Sequence, residues 1–173
     1  MSGRESFNIA SYMEARAAAH PHQRAVAFPE GRDRAGRIAW TQLSFAELDR
    51  LSDAYARGLA ERGVRRGDRI SLLVRPSLEF IPLVFAVFKV GALPVLIDPG
   101  MGRKAFLACL ERMAPRVLVA VPLVQALKGL FPRAFASVEV SVTAGRTTGW
   151  WGGVTLDALA LFEDRPFETV RTR

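Results

Sequence analysis

The sequence predicts an α/β domain: a mostly parallel sheet with helices on both faces, preceded by an antiparallel strand pair. Three observations predict it. Short apolar runs at 69–74, 93–97, 116–121 and 138–142 alternate with helical segments through short links, the pattern of right-handed crossovers. Half of the 173 residues are hydrophobic, enough for a substantial core. Two strand-like runs near the start, 25–28 and 37–43, flank the polar turn formers of 30–36, as in a hairpin.

Taken in order, Asn8 can cap a first helix whose Ile9, Tyr12, Met13 and Ala17 recur at helical spacing, placing that face on the core. It should end near His20-Pro21, before the hairpin. Ser44 and Glu47 have the spacing of a capping box. The helix they start carries Phe45, Leu48, Leu51, Tyr55, Leu59 and Ala60 and stops at Gly63. Residues 69–74 read as a central strand. Ser77 is the expected cap of the next helix, which is apolar nearly all round (Phe80 to Phe88) and so must lie between layers.

Gly91 suits that helix's C-terminus, and residues 93–97 read as a strand covered on both faces. Asp98-Pro99-Gly100 turns the chain, and Met101 or Gly102 begins another helix. Strand 116–121, a short helix from Pro122 to near Gly129, and strand 138–142 complete the pattern. Beyond Ala144 it decays into a Gly- and Trp-rich run, a short apolar segment at 156–162 and a charged tail. Residues 1–173 are therefore expected to form a single partial domain, with an ordered α/β core at 8–142 and a connection and truncated tail at 143–173.

Composition narrows the function classes. The formal charge is +7, but the 24 basic residues are spread along the chain, only three are lysines, and no aromatics alternate with a basic run. That is an arginine-rich solvated surface, not a nucleic-acid footprint. Cys109 is the sole cysteine, so no intramolecular disulfide can form. The start lacks an apolar signal segment, and a cytoplasmic protein is expected. Residues 78–97 have the length of a membrane span, but Glu79, Pro82, Lys89, Gly91 and Pro94 interrupt it at positions suiting a helix, a cap and a strand. His20 and His22 flank a proline without further ligands at metal spacing.

Chemistry-bearing residues are few. Asp98, Gly100, Gly102, Arg103 and Lys104 follow a strand's carboxyl end, where open α/β sheets place ligands. Two cations at a helix N-terminus could face an anionic substrate or phosphate; equally, Asp98 could cap that helix and offset them. The 100–104 run lacks P-loop spacing, and no metalloprotease, nucleophile-elbow or dinucleotide motif occurs.

Four stretches in order carry a family resemblance: Asn8-Ile9-Ala10, Leu43 to Leu48, Gly63 to Arg69 (Gly-Val-Arg-Arg-Gly-Asp-Arg), and Phe88 to Pro99 (Phe-Lys-Val-Gly-Ala-Leu-Pro-Val-Leu-Ile-Asp-Pro). Over roughly residues 8–125 the chain resembles the N-terminal subdomain of the large domain of adenylate-forming enzymes. Arg75-Pro76-Ser77 departs from the family's usual proline–asparagine pair. The Pro-Gly-Met-Gly-Arg-Lys run at 99–104 is similar to the fatty acyl-CoA ligase and olefin-biosynthesis β-lactone synthetase branch.

The resemblance implies a parent enzyme that activates a fatty or β-hydroxy fatty acid with ATP and magnesium. The family's phosphate loop, adenine pocket, ribose carboxylate and mobile-domain lysine have no counterparts here, so no catalytic, cofactor-binding or metal-binding residue is assigned. Thr143 to Gly149 imitates the phosphate loop, but Trp150-Trp151 replace the proline and lysine that should follow. The fragment alone is expected to be inactive and to partner the remainder of its parent chain. The alternative is a free-standing interaction module that dimerises through exposed apolar surface.

Overall fold

A computed structural model describes residues 8–145, 148–161 and 165–171. Asn8 accepts from the Ala10 backbone N–H at 3.0 Å and caps helix α1 (Ile9–Ala19). The face that α1 buries is Ala10, Met13 and Ala17; Ile9 and Tyr12, expected on that stripe, are exposed. Strands β1 (Arg24–Arg32) and β2 (Ile38–Ser44) pair antiparallel, closed by a turn in which Asp33 accepts from the backbones of Ala35 and Arg37. Pairing reaches Arg32, further than the composition of 30–36 suggested, because that Asx-turn needs only residues 33–37.

Helix α2 (Phe45–Glu61) opens on the capping box: Glu47 N–H donates to Ser44 Oγ, and Ser44 N–H donates to Glu47 Oε2. These bonds hold the Glu47 carboxyl below its ordinary value. Five parallel strands follow: β3 (Arg69–Leu73), β4 (Leu93–Val95), β5 (Val117–Ala120), β6 (Val140–Thr143) and β7 (Val154–Thr155). Their order in the sheet is β4-β3-β5-β6-β7. Side chains alternate across it. Ile70, Leu72, Val117, Val119 and Val142 meet α2, α3 (Phe80–Lys89) and α6 (Leu156–Ala160) on one face. Leu73, Leu118 and Ala120 meet α4 (Arg103–Met113) and α5 (Pro122–Leu130) on the other.

Three expectations need correction. Residues 93–97 do not form a strand covered on both faces: β4 has three residues and lies at the sheet edge, with Leu93 and Leu96 exposed. Pro94 carried the signal, since a proline lacks the N–H that an inner strand must donate. Ser77 is not a side-chain cap; α3 starts after Glu79 without one, and only the Ser77 carbonyl accepts, from Phe80 N–H. The strands do not stop at 142. β7 pairs with β6 (Val142 opposite Val154) and leads into α6, capped by Thr155.

Glycines make this last unit possible. Gly153 has φ +84°, and a Cβ there would drive into the Ser141 carbonyl oxygen. Gly58 lets α2 and α6 touch, since a Cβ would lie 2.8 Å from the Leu159 carbonyl oxygen. Phe162, the last residue of the expected apolar segment, lies outside the described residues.

The helical layer of α1, α2 and α3 is joined by a buried cation. Lys89 on α3 is 0% exposed. Its ammonium donates to Asp53 Oδ1 and, at 2.6 Å, to Asp49 Oδ1, both on α2, and lies 4.0 Å from Glu14 Oε1 on α1. Burial raises the Asp53 carboxyl above its ordinary value; Lys89 and the Phe167 backbone N–H pull it down, while Asp49 adds to the rise. Residues 165–171 complete this region. Val170 N–H donates to the Lys89 carbonyl at 2.8 Å, and Asn8 Nδ2 donates to the carbonyls of Phe88 and Val170, each at 2.7 Å.

Lys89→Met removes the cation and leaves two carboxylates without their counter-charge. A loss of about 3–5 kcal/mol is expected in urea unfolding, partly recovered in Lys89→Met/Asp53→Leu. At the β6–β7 connection, Gly152→Ala meets open space at φ +70° and should cost about 1–2 kcal/mol of conformational strain. Gly153→Ala adds a backbone collision and should show the larger fall in thermal midpoint.

Candidate functional site

The carboxyl ends of β3, β5 and β6 open into a cleft of about 320 Å³. Val74 and Arg75 follow β3, Val121 follows β5, and Ala144 and Gly145 follow β6. Phe80 and Leu83 of α3 and Leu156 and Asp157 of α6 form the side walls, with Ser77 and Glu79 at the rim. The sheet geometry predicts a crevice here, because crossover helices leave the strands' carboxyl ends uncovered. Val74, Phe80, Leu83, Val121 and Leu156 line it together with the polar Arg75, Ser77, Glu79 and Asp157.

Behind the cleft sits Tyr55, 2% exposed. Burial pushes its phenol well above the ordinary value, and the Glu79 and Asp157 carboxylates add to that rise. The lining thus sets two carboxylates against one guanidinium, that of Arg75. Such a lining does not fit a triphosphate, which needs backbone N–H groups and cations converging on it. The loop-like run at 143–149 supplies no such cradle among the described residues. Gly145 packs against Pro122, and the Trp151 indole N–H donates to Thr143 Oγ1 at 3.1 Å. Arg146 and Thr147 of that run lie outside the described residues.

The five residues singled out in sequence form a separate loop after β4. Asp98 Oδ1 accepts from Gly100 N–H at 2.8 Å and caps a single 3-10 turn, Pro99–Met101. It does not cap α4, whose N-cap is Gly102 at φ +85° with no side-chain bond. Arg103 and Lys104 stand exposed in the first turn of α4, where no acidic residue offsets them and the helix dipole is already positive. With Met101, Gly102, Ala105 and Ala108 they border a shallow depression. None of the five lines the cleft.

Sequence reasoning missed Glu79, Asp157 and Tyr55, which only the fold brings together. For Arg75 and Ser77 a signal existed in the departure from the family's proline–asparagine pair. No group of three metal-ligating side chains occurs among the described residues, and no helix there is long and apolar enough to cross a membrane.

Among solved structures, an anthranilate CoA ligase in complex with anthranoyl-AMP superposes over 97% of this chain and 30% of its own, with TM-score 0.79 at 19% identity. The adenylation domain of a Mycobacterium chelonae carboxylate reductase does so over 99% of this chain and 31% of its own, with TM-score 0.74 at 17% identity. At these identities the likeness is one of fold. In sequence, an olefin beta-lactone synthetase of Xanthomonas campestris pv. campestris is 43% identical over 150 residues, 86% of this chain and 27% of that protein. Its counterpart from Stenotrophomonas maltophilia is 42% identical over 154 residues, 88% of this chain and 28% of that protein. The chain therefore spans just over a quarter of the length of the curated relatives it matches. The family profile described as AMP-binding enzyme matches residues 13–150, and the chain belongs to that family.

Proposed function

We propose that this chain is the N-terminal portion of an enzyme that activates a carboxylic acid with ATP. The carboxylate oxygen attacks the α-phosphorus, an acyl-adenylate forms and pyrophosphate leaves. The acid would be a fatty or β-hydroxy fatty acid, and the whole protein would carry its adenylate on to a thioester or a β-lactone. The observation that carries this reading is the 43% identity to an olefin beta-lactone synthetase across most of the chain. ATP and magnesium belong to the longer protein in this reading, because the cleft's lining suits an uncharged chain better than a triphosphate.

Residues 1–173 would form one partial domain, whose core, expected at 8–142, runs on through β7 and α6. The return of Phe167 to the core and of Val170 to Lys89 supports a single unit. Within the whole enzyme the cleft beside Phe80, Leu83 and Leu156 would contribute part of the acyl pocket wall. The loop bearing Asp98, Gly100, Gly102, Arg103 and Lys104 would face an anionic part of the substrate, a role favoured by the uncompensated charge at the start of α4.

The 173-residue chain should release no pyrophosphate from ATP and a fatty acid, whereas a chain extended to the length of its relatives should do so in an acid-dependent way. In that longer enzyme, Arg103→Ala/Lys104→Ala should raise KM about tenfold with kcat nearly unchanged, the signature of lost ground-state binding. Turnover by the 173-residue chain would overturn the fragment reading. Failure of the extended chain with every fatty acid tried would overturn the activity.

A further inference from the structure

The two helical layers differ in charge. Residues 99–138, which contain α4 and α5, hold six basic residues and a single acidic one, Glu111. Five of the chain's seven net positive charges thus lie in this segment. Two of the six are engaged inside the fold. Arg116 donates to Asp68 and Glu139, and Lys128 donates to Ser141 Oγ at 2.6 Å, with burial lowering its ammonium. Arg103, Lys104, Arg112 and Arg133 are exposed, and their side chains make no hydrogen bond or ion pair with the described residues.

On the same side of the sheet as α4, helix α5 carries an apolar ridge. Leu123 and Leu130, seven residues apart and so on one side of α5, are 75% and 72% exposed. Trp150, 73% exposed, lies on the same helix, its ring covering Gly129 so closely that a Cβ there would meet Cη2 at 2.6 Å. Gly129 is the residue that admits the indole. Arg133 follows Leu130 by one turn's length of chain. Large aliphatic and indole side chains standing in water beside unpaired cations are a costly arrangement for a surface that meets only solvent.

We propose that the α4–α5 face docks on an anionic lipid surface. Leu123, Leu130 and Trp150 would enter the boundary between headgroups and acyl chains, and Arg112 and Arg133 would meet the lipid phosphates. Indole rings settle at that boundary because they pair an apolar body with an N–H donor. Neither the apolar contact nor the charge is sufficient alone; together they give reversible attachment. A nucleic acid would satisfy the cations but gain nothing from two outward leucines. The lipid surface commits both.

The test is flotation with vesicles of phosphatidylcholine alone or mixed with phosphatidylglycerol, on the 173-residue chain and on a chain extended to its relatives' length. Binding about tenfold tighter to the anionic vesicles, weakening as salt rises, is expected of both. Leu123→Ser/Leu130→Ser/Trp150→Ser should lose about tenfold in affinity while circular dichroism and thermal midpoint stay unchanged. Equal binding of the triple variant and the parent sequence would overturn the proposal. So would indifference to phosphatidylglycerol. Duplex DNA bound as tightly by both sequences would make the face a polyanion surface, and binding by the short chain alone would make it an internal interface of the longer protein.

Discussion

A buried ammonium organises this domain. Lys89 has no access to water, and an isolated charge in such a place would be untenable. Its partners must therefore arrive with it: Asp49 and Asp53 from α2, and Glu14 from α1. The ion cluster fixes how α2 and α3 cross, because two carboxylates one turn apart on α2 converge on one point of α3. It lends the layer directionality that its aliphatic contacts lack. Leu59 can slide along Leu83; Asp53 cannot slide along Lys89.

The sheet side of the molecule was more legible in the sequence than this cluster. The capping box at Ser44 and Glu47, the stop at Gly63 and the cap at Asn8 depend on residues a few positions apart, and each formed as local chemistry predicts. Strand β5 announces itself as an unbroken apolar run because both its faces are covered, and β3 and β6 as short runs interrupted by Ser71 and by Ser141. Lys89 looked like an interruption in an apolar helix. Nothing near it in sequence is acidic, since its partners lie 36 and 40 residues away.

The same distance rule explains the rest. β7 has two residues, too short for periodicity, and is held as a strand by β6 and by what Gly153 permits. The cleft was foreseeable as a place, the carboxyl ends of the strands, but its residues were not, because Glu79 precedes α3 and Asp157 lies in α6, far apart in sequence. Phe88 to Pro99 delivers a buried counter-ion, a glycine turn at φ +71° and a proline-marked edge.

The bond from Asn8 Nδ2 to the Val170 carbonyl spans 162 positions. On a ribosome, the first helix emerges long before its partner segment exists. During that interval the Lys89 cluster has its carboxylates from α2 but lacks the Phe167 and Val170 backbone bonds that close over it. The domain can collapse early around α2, α3 and β3, whose contacts are nearer in sequence, and locks only when residues 165–171 leave the exit tunnel. The nascent chain thus carries a timer: until residues 165–171 are made, the buried charge of Lys89 lacks the segment that closes over it.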